Sequence, residues 1–328
     1  MARFLSDQSK LVVFFESGTY ANTSGTGEWP GLVQSHDIVE SENVIQTRYL
    51  GQLNRNVGTF NPGPTDIEGT VTFIPQDWRL LGFALGSIST TSGTGQTNNY
   101  RHSLAEVNTG TRGNAFTSGT FNPFISFSLE ESRTGPTTNQ QSVRTIRGCV
   151  ANTYTLNVSQ GEPVSVELGI IAQGGSWFSG NSTTVTAGSN RPYLWSDSTF
   201  AIAPDLAGTA AVVMEAVKSL SFEINNNFTG PHYVNGSRVI QVPYPVNRDY
   251  TVEVTQDLDS TLVGSLYDVY FKGGSLFHAV IDINNTANAG SHRLILTLSG
   301  CKMTEMELPA ELESVTEVTY TFVPGSVS

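Results

Sequence analysis

The side chains best suited to chemistry in this 328-residue chain are five histidines, two cysteines and a few carboxylate pairs. Zinc sites draw on His and Cys at short, recurring spacings, whereas His36, His102, His232, His278 and His292 are scattered. Only His278 and His292 can meet, if their segments pair as a hairpin, and two ligands without a third hold no metal. Asp257-Leu258-Asp259 matches a fragment of a calcium loop but lacks its glycine and distal glutamate, so helix capping explains it better. Glu130-Glu131 offers paired carboxylates for acid–base work. Nothing in the sequence buries or partners them, and a solvated face is expected. Gly25-Thr26-Gly27 and Gly93-Thr94-Gly95 have no strand before and no helix after, so they read as turns rather than phosphate cradles. There is no Walker lysine, no H-E-x-x-H, no CxxC and no G-x-S-x-G elbow. The expectation is a protein with no catalytic residues, no metal and no cofactor.

The two cysteines carry information of another kind. Gly148-Cys149 opens a segment that runs through Thr153, Leu156 and Val164 to the alternating positions Val166, Leu168 and Ile170. Gly300-Cys301 opens one that runs through Glu305 and Leu308 to Val318, Tyr320 and Phe322. A constant offset, 149 to 301, holds without a gap to the end of the last strand. One β-domain is therefore expected twice, with Gly148, Cys149, Gly300 and Cys301 as the signature of each core. Each cysteine belongs to its own copy, which argues for buried thiols and against a bond between them.

The elements that would position these marks recur in order. A polar–apolar segment comes early in each copy, at 42–51 and 218–227, followed by alternating strands at 69–73 and 250–254. A helix follows each. Asp77 can cap one with Trp78, Leu81 and Leu85 on its apolar face, and Asp259 one with Leu262, Leu266 and Tyr270. Paired strands then lie at 124–129 and 141–146, matched by 277–283 and 293–298. The first domain is placed at 1–175, a turn-rich linker at 176–190, and the second domain at 191–328. Only the first copy carries a long loop, 86–122, rich in Ser, Thr, Gly and Asn; loops of that length are usually functional or disordered, and 100–107 within it can form either a short helix or a strand.

Composition narrows the function. A net charge of −12 argues against nucleic-acid binding through phosphates, which needs clustered Lys and Arg. With charged residues at 14%, the surface must be built from small polar side chains. The apolar run 11–15 is too short for a signal-peptide core, and nothing approaches a membrane span, so no membrane partner is expected. A virion component, made in the host cytoplasm and later exposed, reconciles an extracellular composition with no export signal. Sequons at Asn22, Asn157, Asn181, Asn227, Asn235 and Asn284 are unsurprising in a chain so rich in Asn, Ser and Thr. Trp29, Trp177 and Trp195 can stack on sugars, but in β-rich proteins such residues more often pack or seal subunit contacts.

Several of these stretches resemble one known family. They are Glu28-Trp29-Pro30-Gly31-Leu32-Val33-Gln34-Ser35 with Glu42-Asn43-Val44, then 219–227, then 294–301 and the final strand 318–323. The chain is similar there to the tail tube (major tail) proteins of long-tailed phages and archaeal tailed viruses, in the duplicated-domain form. The resemblance implies a mainly β fold of two tandem β-sandwich domains, each with one flanking α-helix. It implies a structural, self-assembling role in which three chains form a pseudo-hexameric ring, and rings stack into the hollow tail tube that delivers viral DNA. Its partners would be further copies of itself and other tail proteins, with DNA passing through an acidic or neutral lumen without specific binding. Its location would be the virion tail, after assembly in the host cytoplasm. The 86–122 loop is then the candidate for ring stacking, through Thr91, Asn98, Tyr100, Arg101, Thr111 and Arg112. A surface adhesin or carbohydrate-binding β-protein is the alternative, resting on the loop tryptophans.

Overall fold

The computed structural model describes residues 9–16, 20–21, 26–48, 58–92, 100–106, 126–134, 141–179, 182–186, 188, 190–204, 211–258, 265–285, 292–308 and 317–328. The first half holds β1 (Ser9–Phe15), β2 (Leu32–His36), β3 (Val39–Glu42), β4 (Ile45–Thr47), β5 (Thr59–Asn61) and β6 (Thr65–Ile74). Helix α1 (Arg79–Leu85) and strands β7 (Gly86–Ser92), β8 (Tyr100–Glu106), β9 (Phe127–Thr134), β10 (Gln141–Ser159), β11 (Ser165–Ala172) and β12 (Gly174–Ser179) follow. The second half holds β13 (Ser198–Ala203), β14 (Val212–Val213), β15 (Val217–Asn225), β16 (Phe228–Thr229), β17 (Tyr244–Pro245) and β18 (Asp249–Asp257). Helix α2 (Ser265–Lys272) leads into β19 (Phe277–Asn285), β20 (His292–Glu307), β21 (Glu317–Val323) and β22 (Ser326–Val327).

Alternation of apolar and polar residues builds two layers. The inner layer is one antiparallel sheet in the order β2/β3, β6, β11, β10, β15, β18, β21, β20. Its inward positions, such as Val166, Leu168 and Ile170 on β11 and Val318, Tyr320 and Phe322 on β21, are buried. Each half adds an outer sheet: β1, β9, β10 and β12 in the first, and β14, β13, β19, β20 and β22 in the second. Strands β10 and β20 belong to both layers, because each runs out of the outer sheet and into the inner one.

The Gly-Cys pairs sit where those two strands change sheet. Gly148 and Gly300 both take positive φ, +65° and +62°, which a side chain tolerates poorly. Register slips there in the same way: Ile146 faces Leu129 and then Cys149 faces Phe127, while Leu298 faces Ala279 and then Cys301 faces Phe277. Both thiols are free and fully buried. Two further slips recur, Ala151/Thr153 with Met303/Glu305 and Val33/Ser35 with Val217/Ser219. Such bulges re-aim a strand at fixed positions, so the halves share their irregularities as well as their strands.

Helix α1 begins after Asp77, whose Oδ1 accepts the Arg79 N–H at 3.1 Å, and Gly86 closes it in the left-handed region with φ +97°. Leu81 and Leu85 are buried, and Trp78 packs on Tyr193 at 4.8 Å. Helix α2 is wound in the wider π form, with Gly273 N–H donating to Asp268 O. Its Leu266 is buried and Tyr270 packs on Phe277 at 5.0 Å, while the expected cap Asp259 and Leu262 lie outside the described residues.

Four expectations need correction. The first-half counterpart of 218–227 is 34–43, not 42–51, because Leu32–His36 and Val39–Glu42 carry the pairing to β6 that Val217–Asn225 carries to β18. Residues 86–92 and 100–106 pair as strands β7 and β8 rather than forming loop, with Ile88 and Leu104 against α1, and the rest of 86–122 lies outside the described residues. The segment after Gln173 starts as paired strand β12, so 176–179 are not linker in structure. Glu130 and Glu131 are buried, not solvated: Glu130 accepts the Thr183 N–H and hydroxyl at 2.7 and 2.8 Å, and Glu131 pairs with Arg133 at 2.5 Å.

Candidate functional site

The two halves meet where β10 pairs with β15, from Thr153 opposite Asn225 to Ser159 opposite Ser219. Asn226, just beyond β15, is buried and works as a clamp. Its Nδ2 donates to Ala84 O at the end of α1 and to Ala151 O in β10, both at 2.9 Å, and its Oδ1 accepts from Arg248 Nε at 2.6 Å. The segment between β15 and β18 then folds back over the first half. Thr65 N–H donates to Arg238 O at 2.8 Å, Arg238 Nε to Gly63 O at 2.8 Å, Arg238 pairs with Glu42, and His232 meets Asp66 at 2.8 Å. The β7–β8 hairpin seals the same seam: Glu106 accepts the Tyr250 hydroxyl at 2.8 Å and the Val327 N–H at 2.5 Å. Burial raises the Tyr250 hydroxyl above its ordinary range, and the Glu106 hydrogen bond adds to this.

The shared register defines what stands at the two ends of the inner sheet. β2/β3 sits on β6 as β15 sits on β18, since Ser35 opposite Thr72 repeats Ser219 opposite Thr255 and Ser41 opposite Asp66 repeats Asn225 opposite Asp249. The stretch of β20 from Lys302 to Glu307 sits on β21 as the corresponding part of β10 sits on β11. Inside the chain, a β10-type strand pairs with a β15-type strand. At the ends, a β15-type strand (β2/β3) and a β10-type strand (β20) each keep one edge without a strand partner among the described residues.

The outward face of this sheet is hydroxylic and acidic. Across the strands the order is Thr72, Glu167, Thr155, Glu223, Thr251, and in a neighbouring row Ser221, Glu253, Thr321, Glu305. Within these rows no carboxylate faces another, which avoids like-charge pairs directly opposite. Asp257 and Glu317 do face each other, and Lys218 bridges them at 2.6 Å to each.

The signature residues Gly148, Cys149, Gly300 and Cys301 lie in the two cores. Burial pushes the Cys149 thiol well above its ordinary range, and that of Cys301 up to about 12. Of the stacking candidates, Thr91, Tyr100 and Arg101 fall at the distal end of the hairpin, where Thr91 pairs with Arg101, whereas Asn98, Thr111 and Arg112 lie outside the described residues. His278 and His292 are on paired strands but at opposite ends, His278 beside Gly300 and His292 opposite Asn285. Among the described residues no cluster of His, Cys, Asp and Glu is placed to hold a metal, and no helix is long and apolar enough to cross a membrane. Trp29 donates to Gln76 at 2.9 Å, and Arg144 lies over the exposed Trp177. Sequence reasoning missed Asn226, Arg238 and Glu106; their only signal is a polar residue beside an apolar strand end.

Residues 7–323 match the family model described as phage tail tube protein. No curated protein matches the chain. Among solved structures, the SPP1 tail tube, determined by solid-state NMR and cryo-EM, is similar at 12% identity. That match covers 42% of this chain and 77% of the other, with a TM-score of 0.34.

Proposed function

The chain belongs to the phage tail tube protein family and is a structural component of the virion tail, and we propose that three copies close into one ring. The observation that carries this is the pair of matched open edges. Applying the β10–β15 register between chains sets β20 of one chain against β2/β3 of the next, with Glu305 opposite Ser41 and Glu307 opposite Val39. Because the contact is head-to-tail, it closes only as a ring or runs on as a filament. Two repeats per chain make six equivalent units from three chains. Pairing also removes two strand edges that would otherwise recruit other chains.

The role is structural rather than catalytic. In the ring, the Thr/Glu face of the inner sheet lines the bore, where carboxylates and hydroxyls offer viral DNA no cationic hold. Rings stack into a tube through the distal end of the β7–β8 hairpin, with Thr91, Tyr100 and Arg101, and the tube is assembled with other tail proteins in the host cytoplasm. The first domain runs through β12 to Ser179 and the second begins at Arg191. Cryo-EM of assembled tubes tests the reading: Glu305 next to Ser41 of the neighbouring chain is expected, and a ring joined through the outer sheets would overturn it.

A further inference from the structure

At the seam inside the chain, Phe228 is only 8% exposed. It packs on Val150, with Ile171 and Tyr20 around it, and its N–H donates to Asn152 Oδ1 at 2.8 Å. Val150 and Ile171 face each other in the β10–β11 register. The counterpart pair is Lys302 and Val323, which face each other in β20–β21. Counting three residues on from Ser41 and from Asn225 makes Val44 the counterpart of Phe228. All the apolar members of this second set are open to solvent: Val44 is 47% and Val323 40% exposed. Leu308, the counterpart of the fully buried Leu156, is 46% exposed. Val44 and Leu308 are thus exposed where Phe228 and Leu156 are buried, and Val323 is exposed where Ile171 is half-buried.

We infer that Val44 of one chain docks on Val323 and the aliphatic stem of Lys302 in the adjacent copy, so that Val44 and the paired β4 and β5 form a clasp between chains. The occupant is a second copy of this chain, because the internal seam shows which segment fills the equivalent socket, and the inference rests on the ring reading above. Lys302 has no ion pair among the described residues and suits such a rim position, its stem covered and its ammonium in water. Valine fills less space than phenylalanine, so the clasp between chains is the weaker seam and the place where a tube comes apart.

The test uses assembled tubes of a Val44→Cys/Val323→Cys variant treated with a short bismaleimide. Cys149 and Cys301 are fully buried and do not compete. Covalent products of up to three chains are expected on a denaturing gel, and neither single variant should give them. Val44→Ser should weaken association about tenfold through lost apolar burial, and Val44→Phe should strengthen it. Rings or tubes without cross-chain product, or a link closed within one chain, would overturn the clasp while leaving the ring. Absence of rings from the unmodified protein would overturn the ring, and the clasp with it.

Discussion

Asn226 and Ala84 lie in different halves of the chain, and the Asn226 side-chain amide donates to the Ala84 carbonyl at 2.9 Å. One buried amide thereby ties the helix of the first half to the first long strand of the second. Replacing it with alanine leaves Ala84 O, Ala151 O and Arg248 without that partner. Asn226→Ala should cost about 1–3 kcal/mol, the range for orphaned buried polar groups. Urea unfolding followed by tryptophan fluorescence measures this, and a loss below about 0.5 kcal/mol would show that the clamp is dispensable.

Gly148 and Gly300 occupy the same corner but differ in what surrounds them. A Cβ at Gly148 would stand 2.7 Å from the Tyr20 ring, whereas at Gly300 nothing lies within 4 Å. Gly300→Ala should therefore cost about 1 kcal/mol of backbone strain alone. Gly148→Ala should cost more, because Tyr20, which donates to Gly148 O at 2.8 Å, must also move. Equal losses in the two variants would mean that Tyr20 yields freely.

The buried thiols give alkaline pH a defined effect. Below about pH 8.5, the ordinary cysteine value, both thiols are protonated in folded and unfolded chains alike and their stabilisation is intact. As pH rises, the unfolded chain ionises while burial keeps Cys149 and Cys301 neutral, so stability falls progressively, for Cys301 up to about pH 12. The buried Tyr154 and Tyr320, raised by burial, add to the fall above pH 10. The urea midpoint should drop between pH 8.5 and 10, and a Cys149→Ala/Cys301→Ala variant should show a flatter profile there. A thiol reagent should label the native protein only as fast as it unfolds.

Gly82 is the point on α1 over which the hairpin closes. A Cβ there would fall 2.1 Å from Ile88 Cγ1 and 3.0 Å from Leu104. Gly82→Val should push β7–β8 away from the helix at a cost of about 1–3 kcal/mol, the usual range for overpacking. Hydrogen exchange confined to 86–92 and 100–106 would report it, and unchanged protection there would show that the hairpin is held elsewhere.

Legibility in sequence followed whether a residue's partner was local. The Gly-Cys corners could be read because a positive-φ bulge demands glycine and the next inward position an apolar filler, twice at one spacing. Helix α1 could be read from the spacing of Trp78, Leu81 and Leu85. The edge strand Val39–Glu42 could not, since every residue on it is exposed and alternation is lost. The β7 sequence GSISTTS hides its one apolar anchor, Ile88, among hydroxyls. Burial of Glu130 depends on Thr183, far along the chain, and no local pattern announces such a partner.

The most direct measurement is the mass of a single ring released from the tube and weighed by native mass spectrometry. Three 35.3 kDa chains are expected, because two matched repeats per chain make six units from three copies. A ring of six chains would contradict the account, since the two halves of the chain would then not occupy equivalent places.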